Sequence, residues 1–267
     1  MKITFLGTGS AFTMKNNHTN ILITQNGKNL LIDAGGDIRF SLVKEGLSYK
    51  DIDSIYVTHL HNDHIGGLEY FAFCSYFDKS MPEKISLIGN GELIRELWES
   101  SLKGGLKSIQ GKKTTLSDFF DIQMVKKNGK FNWEDIEFHI VQSVHIMDEY
   151  SIVPSFGLIF KDLKTNKKIY YPGDTQFCPN QIKCFYDEAN LIIQDCETSK
   201  FPSGVHAHFN DLMTLPLEIK SKMLLVHYQD NVLADPSWNG RADEAGFPIW
   251  GKTVGFVEQG FVLDLEK

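Results

Sequence analysis

Three histidines and one aspartate fall within six residues of the segment Thr58-His59-Leu60-His61-Asn62-Asp63-His64-Ile65-Gly66-Gly67. The run before it, Ser54-Ile55-Tyr56-Val57, is short and apolar with β-branched members, which predicts a strand. On a loop leaving that strand, His59 and His61 at alternate positions face the same side, and Asp63 and His64 follow as the chain turns into a helix begun at glycine. Neutral imidazole and carboxylate are the ligands that Zn²⁺ and related divalent ions take in preference to water. A solvated polar turn gives no reason for four such groups to cluster at the end of a buried strand.

Positioning these groups requires a framework, and the sequence supplies one of short strands. Runs of strand length recur at Ile3–Leu6, Asn20–Thr24, Leu30–Asp33, Ser54–Thr58, Ile85–Ile88 and Ile136–Val141. They continue at Phe156–Phe160, Lys168–Tyr171, Leu191–Gln194, Met223–Val226 and Phe261–Leu265. Helical spacing marks Asp37–Glu45, Leu68–Phe77, Glu92–Leu102 and Asp211–Lys220. Gln25-Asn26-Gly27-Lys28 is a hairpin signal. Strands in runs, interrupted by helices, predict an α/β fold with two sheets face to face and helices outside. The stretch Lys103–Lys113, rich in Gly, Lys and Ser, reads as a long exposed loop whose lysines form a solvated face.

Composition sets the class. The 267 residues are 42% hydrophobic and 23% charged, which excludes a disordered chain. No repeat or composition boundary divides them, so a single domain over 1–267 is expected. The net charge of −7 repels a polyanion and makes a long nucleic acid an unexpected partner. Cys74, Cys178, Cys184 and Cys196 form no C-x-x-C pair, and the start of the chain lacks the apolar run of a signal peptide, so a cytoplasmic setting is expected. No run approaches the ~18 apolar residues of a membrane span, so no membrane partner is expected.

The H-x-H-x-D-H pattern of His59, His61, Asp63 and His64 resembles the signature of the metallo-β-lactamase-fold superfamily. The resemblance continues in family order through His145, through Asp174 in Tyr171-Pro172-Gly173-Asp174-Thr175, and through His227 after Leu224-Leu225-Val226. It implies a four-layer αββα sandwich of two mixed sheets with helices outside, and two Zn²⁺ ions, with Mn²⁺ as the alternative. It places His59, His61 and His145 on one ion, Asp63, His64 and His227 on the other, and Asp174 between them. Histidine at position 61, where flavo-diiron members carry glutamate, disfavours redox iron chemistry. Asp33, ending an apolar strand, would either accept a bond from a ligand histidine or cap the following helix.

The stretch Ser203-Gly204-Val205-His206-Ala207-His208-Phe209-Asn210-Asp211 resembles the phosphate-contacting loop of the tRNase Z branch. With Asn210 as the expected N-cap of a helix from Asp211, His208 is the first choice for phosphate and leaving-group stabilisation and His206 the second. Asp63 would orient the attacking water or take its proton. No long Gly- and Pro-rich tRNA-gripping arm separates His145 from His208, and the compact chain is similar to the anti-Pycsar phosphodiesterases. That similarity implies a small nucleotide substrate, a 3′,5′-cyclic nucleotide such as cyclic CMP or cyclic UMP opened to the linear monophosphate. It also implies a homodimer and, for a phage protein, action in the host cytoplasm. The alternatives are tRNA 3′-end processing and a nucleotide-binding protein that does not hydrolyse its ligand. Phe156, Tyr228, Trp238 and Trp250 are the candidate platforms for the base, and Ala234–Trp250 reads as irregular.

Overall fold

Asn26 and Gly27 adopt left-handed φ of 52° and 78°, the turn that joins two strands in register at Gln25 and Lys28. The computed structural model describes residues 1–266. The first sheet is built from β1 (Lys2–Gly7), β2 (Asn20–Gln25), β3 (Lys28–Ile32), β4 (Ser54–Tyr56), β5 (Ser86–Asn90) and β6 (Asp121–Val125). The second comprises β7 (Lys130–Trp133), β8 (Ile136–Gln142), β9 (Phe156–Asp162), β10 (Lys168–Tyr171), β11 (Leu191–Asp195) and β12 (Met223–Val226). A last strand, β13 (Val262–Asp264), returns to the first sheet, whose order is β13-β1-β2-β3-β4-β5-β6; the second runs β12-β11-β10-β9-β8-β7.

Both sheets are mixed. β3, β4, β5 and β6 run parallel, as do β10, β11 and β12, and the other pairings are antiparallel. Alternation along a strand explains the layering. Ile193, Leu224 and Val226 join Ile3, Phe5 and Ile55 in the core between the sheets, whereas their neighbours Ile192, Met223 and Leu225 pack outward. The outward set meets Ile182 and Tyr186 of the helix Pro179–Glu188, Phe209 and Leu212, and Trp238. On the other side, α1 (Ile38–Lys44) and α3 (Leu68–Phe77) contribute Ile38, Leu42, Leu68 and Phe71 to the core cluster of the first sheet. Here α2 is the single turn Asn62–Ile65, α4 is Gly91–Glu96, α5 is Lys103–Leu106 and α6 is Pro179–Glu188. The expected αββα sandwich is the fold.

Several local expectations are corrected. The helix expected over Glu92–Leu102 begins as α4, widens into a π-helical turn at Leu97–Leu102 and continues as α5, with Leu106 buried. The Lys103–Lys113 stretch therefore opens as the helical turn α5 and closes as a short hairpin pairing Ser108–Ile109 with Lys112–Lys113. Asp211–Lys220 is two helical turns, α7 (Phe209–Leu212) and α8 (Leu217–Lys220), separated by Pro216, which cannot continue the first. Ala234–Trp250 contains the helix α9 (Ser237–Ala245), with Pro236 at its N-cap and Gly246 in the left-handed C-cap conformation.

The parallel strands bear on function. Asp33 follows β3, His59 lies just beyond β4, Asp174 follows β10, Asp195 ends β11 and His227 follows β12. All stand at carboxyl ends of parallel strands, where open α/β sheets place their ligands.

Candidate metal centre

Two loops of the first sheet brace one another before any ligand is placed. Ala34 N–H donates to His64 O at 2.7 Å and Gly67 N–H to Ala34 O at 2.8 Å. Gly35 permits this approach, because a Cβ there would lie 2.3 Å from Asp63 O. The Thr58 N–H and hydroxyl both donate to the buried Asp33 carboxylate, at 2.8 and 2.7 Å, and His64 Nδ1 meets the same carboxylate at 2.8 Å. Asp33 thus holds His64, one of the expected ligands; it does not cap α1, whose N-cap is Asp37. Asp33 and His227 take left-handed φ of 63° each, and Gly173 before Asp174 takes 66°. A buried non-glycine residue in that region is strained and is kept there by its surroundings.

The seven expected ligands converge as two quartets that share one aspartate. His59, His61, His145 and Asp174 form the first, and Asp63, His64, Asp174 and His227 the second; within each, the candidate ligand atoms lie within 4.8 Å of one another. In the first, His59 Nε2 is 3.0 Å from His61 Nδ1, His145 Nε2 is 3.3 Å from His61 Nδ1, and Asp174 Oδ2 is 3.6 Å from His59 Nε2 and 3.8 Å from His145 Nε2. In the second, Asp63 Oδ2 is 3.2 Å from His64 Nε2 and 3.1 Å from His227 Nε2, and Asp174 Oδ2 is 3.3 and 3.4 Å from the same two nitrogens. Donors ~2.0–2.1 Å from a tetrahedral ion lie ~3.3–3.4 Å apart, so these spacings suit a cation at each focus.

Tautomers agree with that fit. His145 Nδ1 is 2.8 Å from Val205 O, His64 Nδ1 faces Asp33, and His59 Nδ1 is 3.1 Å from the Thr58 hydroxyl, whose own hydrogen goes to Asp33. Each ring therefore spends its Nδ1–H on the protein and turns Nε2 inward, where it can give a lone pair to a cation, the usual device for a metal-binding histidine. His64 Nε2 is buried without a hydrogen-bond partner. Electrostatics complete the picture. Burial holds His59, His61 and His145 below the ordinary imidazole value. For His64 and His227 burial also acts downward, but Asp174 and the other nearby carboxylates outweigh it and hold both well above the ordinary value. Asp63 and Asp174, despite burial, are held well below the usual carboxylate range by His64 and His227. Without a cation, protons on the second quartet balance the carboxylates.

His206 and His208 part company. His206 Nδ1 is 2.8 Å from Asp195 Oδ2 and 3.9 Å from Asp174 Oδ2, and its ring lies 4.8 Å from that of His227. His208 is itself the N-cap of α7: its Nδ1 accepts from Asn210 N–H at 3.2 Å and its Nε2 donates to Ser199 O at 3.0 Å. This corrects the expected cap at Asn210. Both nitrogens of His208 are spent on its loop, while His206 faces the centre.

Asp195 is the residue that sequence reasoning passed over. It contacts His206 through Oδ2 and His227 Nδ1 through Oδ1 at 3.3 Å. Its signal was the one read for Asp33, an aspartate ending an apolar strand. Phe156, Tyr228 and Trp238 are buried in the core, and Trp250 is partly buried with Nε1–H donating to Met223 O, so none of the four expected platforms stands open over the centre. A cavity of about 480 Å³ does open there, lined by His206, His227, Glu197 and Ser199, with Phe12 and Phe201 at its edge.

Comparison with known proteins agrees with this architecture. The family model described as Anti-Pycsar protein Apyc1 matches residues 1–251. A protein of that name from Paenibacillus harenae is 34% identical over 234 residues, covering 87% of this chain and 91% of its own. Another from Bacillus phage vB_BsuM-Goe3 is 33% identical over 243 residues, covering 86% and 90%. Among solved structures, the metallo-β-lactamase fold protein YhfI from Bacillus subtilis superposes with a TM-score of 0.72 at 16% identity, covering 98% of each chain.

Proposed function

The chain belongs to the anti-Pycsar protein Apyc1 family, and from that premise we propose a metal-dependent phosphodiesterase that opens 3′,5′-cyclic nucleotides to linear monophosphates and thereby counters Pycsar signalling. The observation that carries this reading is the pair of donor quartets sharing Asp174. Two divalent cations bound there, Zn²⁺ or Mn²⁺, supply Lewis acidity toward a phosphoryl oxygen and acidify water to about neutrality.

The chain's own groups supply the rest. His59, His61 and His145 hold one position, Asp63, His64 and His227 the other, and Asp174 ties them together. We assign to Asp63 the orientation of the attacking water and the acceptance of its proton. Asp195 fixes His206 through Nδ1 and, against the downward pull of burial, raises the ring's affinity for a proton, so that the imidazolium carries an Nε2–H to donate to a non-bridging oxygen or to the departing 3′ oxygen. A cavity of about 480 Å³ fits a mononucleotide, and the net charge of −7 disfavours a long polyanion. Among the described residues no helix is long and apolar enough to cross a membrane. A homodimer of one-domain subunits acting in the host cytoplasm completes the proposal; phage relatives support the setting.

The test incubates metal-analysed protein with cyclic mononucleotides, a pre-tRNA and a bis-aryl phosphate, with and without chelator. Chelator-sensitive ring opening of the cyclic nucleotides is expected. Cleavage of pre-tRNA alone, or retention of unaltered cyclic nucleotide by metal-loaded protein, overturns it.

A further inference from the structure

Phe12 and Phe201 are 94% and 79% exposed, yet both line the cavity that His206 and His227 also line. Isolated exposed phenylalanines are ordinary on a protein surface; two at the mouth of one charged cleft are not. Each is carried by a loop tied down by a carboxylate. Asp230 accepts from Met14 N–H at 2.8 Å and Lys15 N–H at 3.2 Å, and the Thr13 hydroxyl reaches Ser10 O and Asn16 O at 2.9 Å each, which fixes the turn bearing Phe12. Buried Glu197 accepts from the Ser199 hydroxyl at 2.5 Å, from Ser203 N–H at 2.9 Å and from the Ser203 hydroxyl at 2.9 Å; the Ser199 hydroxyl also lies 2.8 Å from Phe201 O. Glu197 N–H in turn donates to Ala207 O at 2.8 Å, joining the Phe201 loop to the segment that carries His206.

From this arrangement we infer that Phe12 and Phe201 are the base-contacting residues of the site, two aromatic faces against which the nucleobase stacks while the phosphodiester reaches the metal centre. The inference rests on the phosphodiesterase reading for its substrate and deepens it. The cleft offers a base two exposed apolar rings beside polar lining groups such as Ser203 and Gln229. Rings held by pinned loops lose little freedom on binding, so stacking contributes without ordering the loop. The base, not the phosphate, is the group these side chains distinguish.

The experiment compares wild type, Phe12→Ala, Phe201→Ala and the aromatic replacements Phe12→Trp and Phe201→Trp. Binding of CMP and of ribose 5-phosphate to the Zn²⁺-loaded proteins is followed by the ring-current shifts of the ligand protons, with no turnover involved. Wild type is expected to shift the base protons upfield and to prefer CMP. Each alanine variant is expected to weaken CMP by about 5- to 100-fold, to leave ribose 5-phosphate unchanged and to reduce the upfield shift, with tryptophan restoring both. Steady-state rates should show KM for a cyclic nucleotide rising with kcat held, and no change for a base-free methyl riboside 3′,5′-cyclic phosphate. Equal affinity for CMP in wild type and the alanine variants overturns the inference, as does a change of oligomeric mass with unaltered CMP affinity. If CMP stacks as described but no cyclic nucleotide is opened, the base contact stands and the proposed activity falls.

Discussion

Asp33 and Asp195 are counterparts in the two sheets: each closes an apolar parallel strand, is buried, and turns a carboxylate oxygen onto histidine Nδ1 atoms at the metal centre. Asp33 serves His64 at 2.8 Å; Asp195 serves His206 at 2.8 Å and His227 at 3.3 Å. The centre is therefore supported from both sheets by residues that are not in its two quartets. A carboxylate behind an imidazole fixes the ring and raises its basicity as a ligand.

Removing such a support should weaken metal binding while leaving the ligand set intact. Asp33→Ala is expected to lower Zn²⁺ affinity by about 10- to 100-fold in a competition titration with a chelating dye. It also strips Thr58 N–H of its buried acceptor, at a stability cost of about 1–3 kcal/mol. Unchanged affinity in a folded variant would show that His64 needs no such anchor.

Asp174 belongs to both quartets, so Asp174→Ala should empty both together. Metal analysis of the variant is expected to find neither position filled, and phosphodiesterase activity to fall by three orders of magnitude or more, on the order of the several kcal/mol attributed to metal assistance. Full turnover in metal-free variant protein would rule out the reading built on this centre.

The two quartets should differ in the protons they release. His59, His61 and His145 lie below the ordinary imidazole value, chiefly through burial, so at pH 7 they are neutral and have no proton to lose when an ion arrives. His64 and His227 lie well above it: burial acts downward, but the facing carboxylates prevail, so before metal binds both hold a proton to higher pH than the first three. Filling the second position must expel those protons, and its affinity should rise with pH more steeply than that of the first. Calorimetric titrations in buffers of different ionisation enthalpy measure the release per ion. Equal release for the two ions would contradict the electrostatic asymmetry.

How much of this was written in the sequence depends on how local the signal is. Leu68–Phe77 is the helix its spacing indicates, and Lys168–Tyr171 and Met223–Val226 are strands because apolar runs buried on both faces leave little ambiguity. β6 and β7 were not legible: they are edge strands, exposed on one side, and their polar residues are what an edge requires. Pro236 and Gly246 look like loop composition until seen as the start and stop of α9. The seven candidate ligands came from the H-x-H-x-D-H cluster and the family resemblance that extends it, and they converge; Asp195 was not singled out, although it ends its strand much as Asp33 follows one. The helix start was placed two residues late, at Asp211 with Asn210 as its cap, so His208, which caps it, was not distinguished from His206, which faces the centre.

That difference separates the two histidines experimentally. His206→Ala removes a donor that Asp195 holds against the centre, and should lower kcat by about 10²- to 10³-fold, the usual effect of losing one such donor, with metal content and melting temperature nearly kept. His208→Ala removes a cap from a single helical turn and an anchor on Ser199 O, and should cost about 1 kcal/mol of stability while leaving metal content intact. Because Ser199 belongs to the Phe201 loop, His208→Ala should also raise KM slightly more than it lowers kcat. Kinetics, metal analysis and thermal melts on the two purified variants decide the matter. If His208→Ala abolishes turnover in a fully metallated, folded protein while His206→Ala does not, the roles assigned to the two rings must be exchanged.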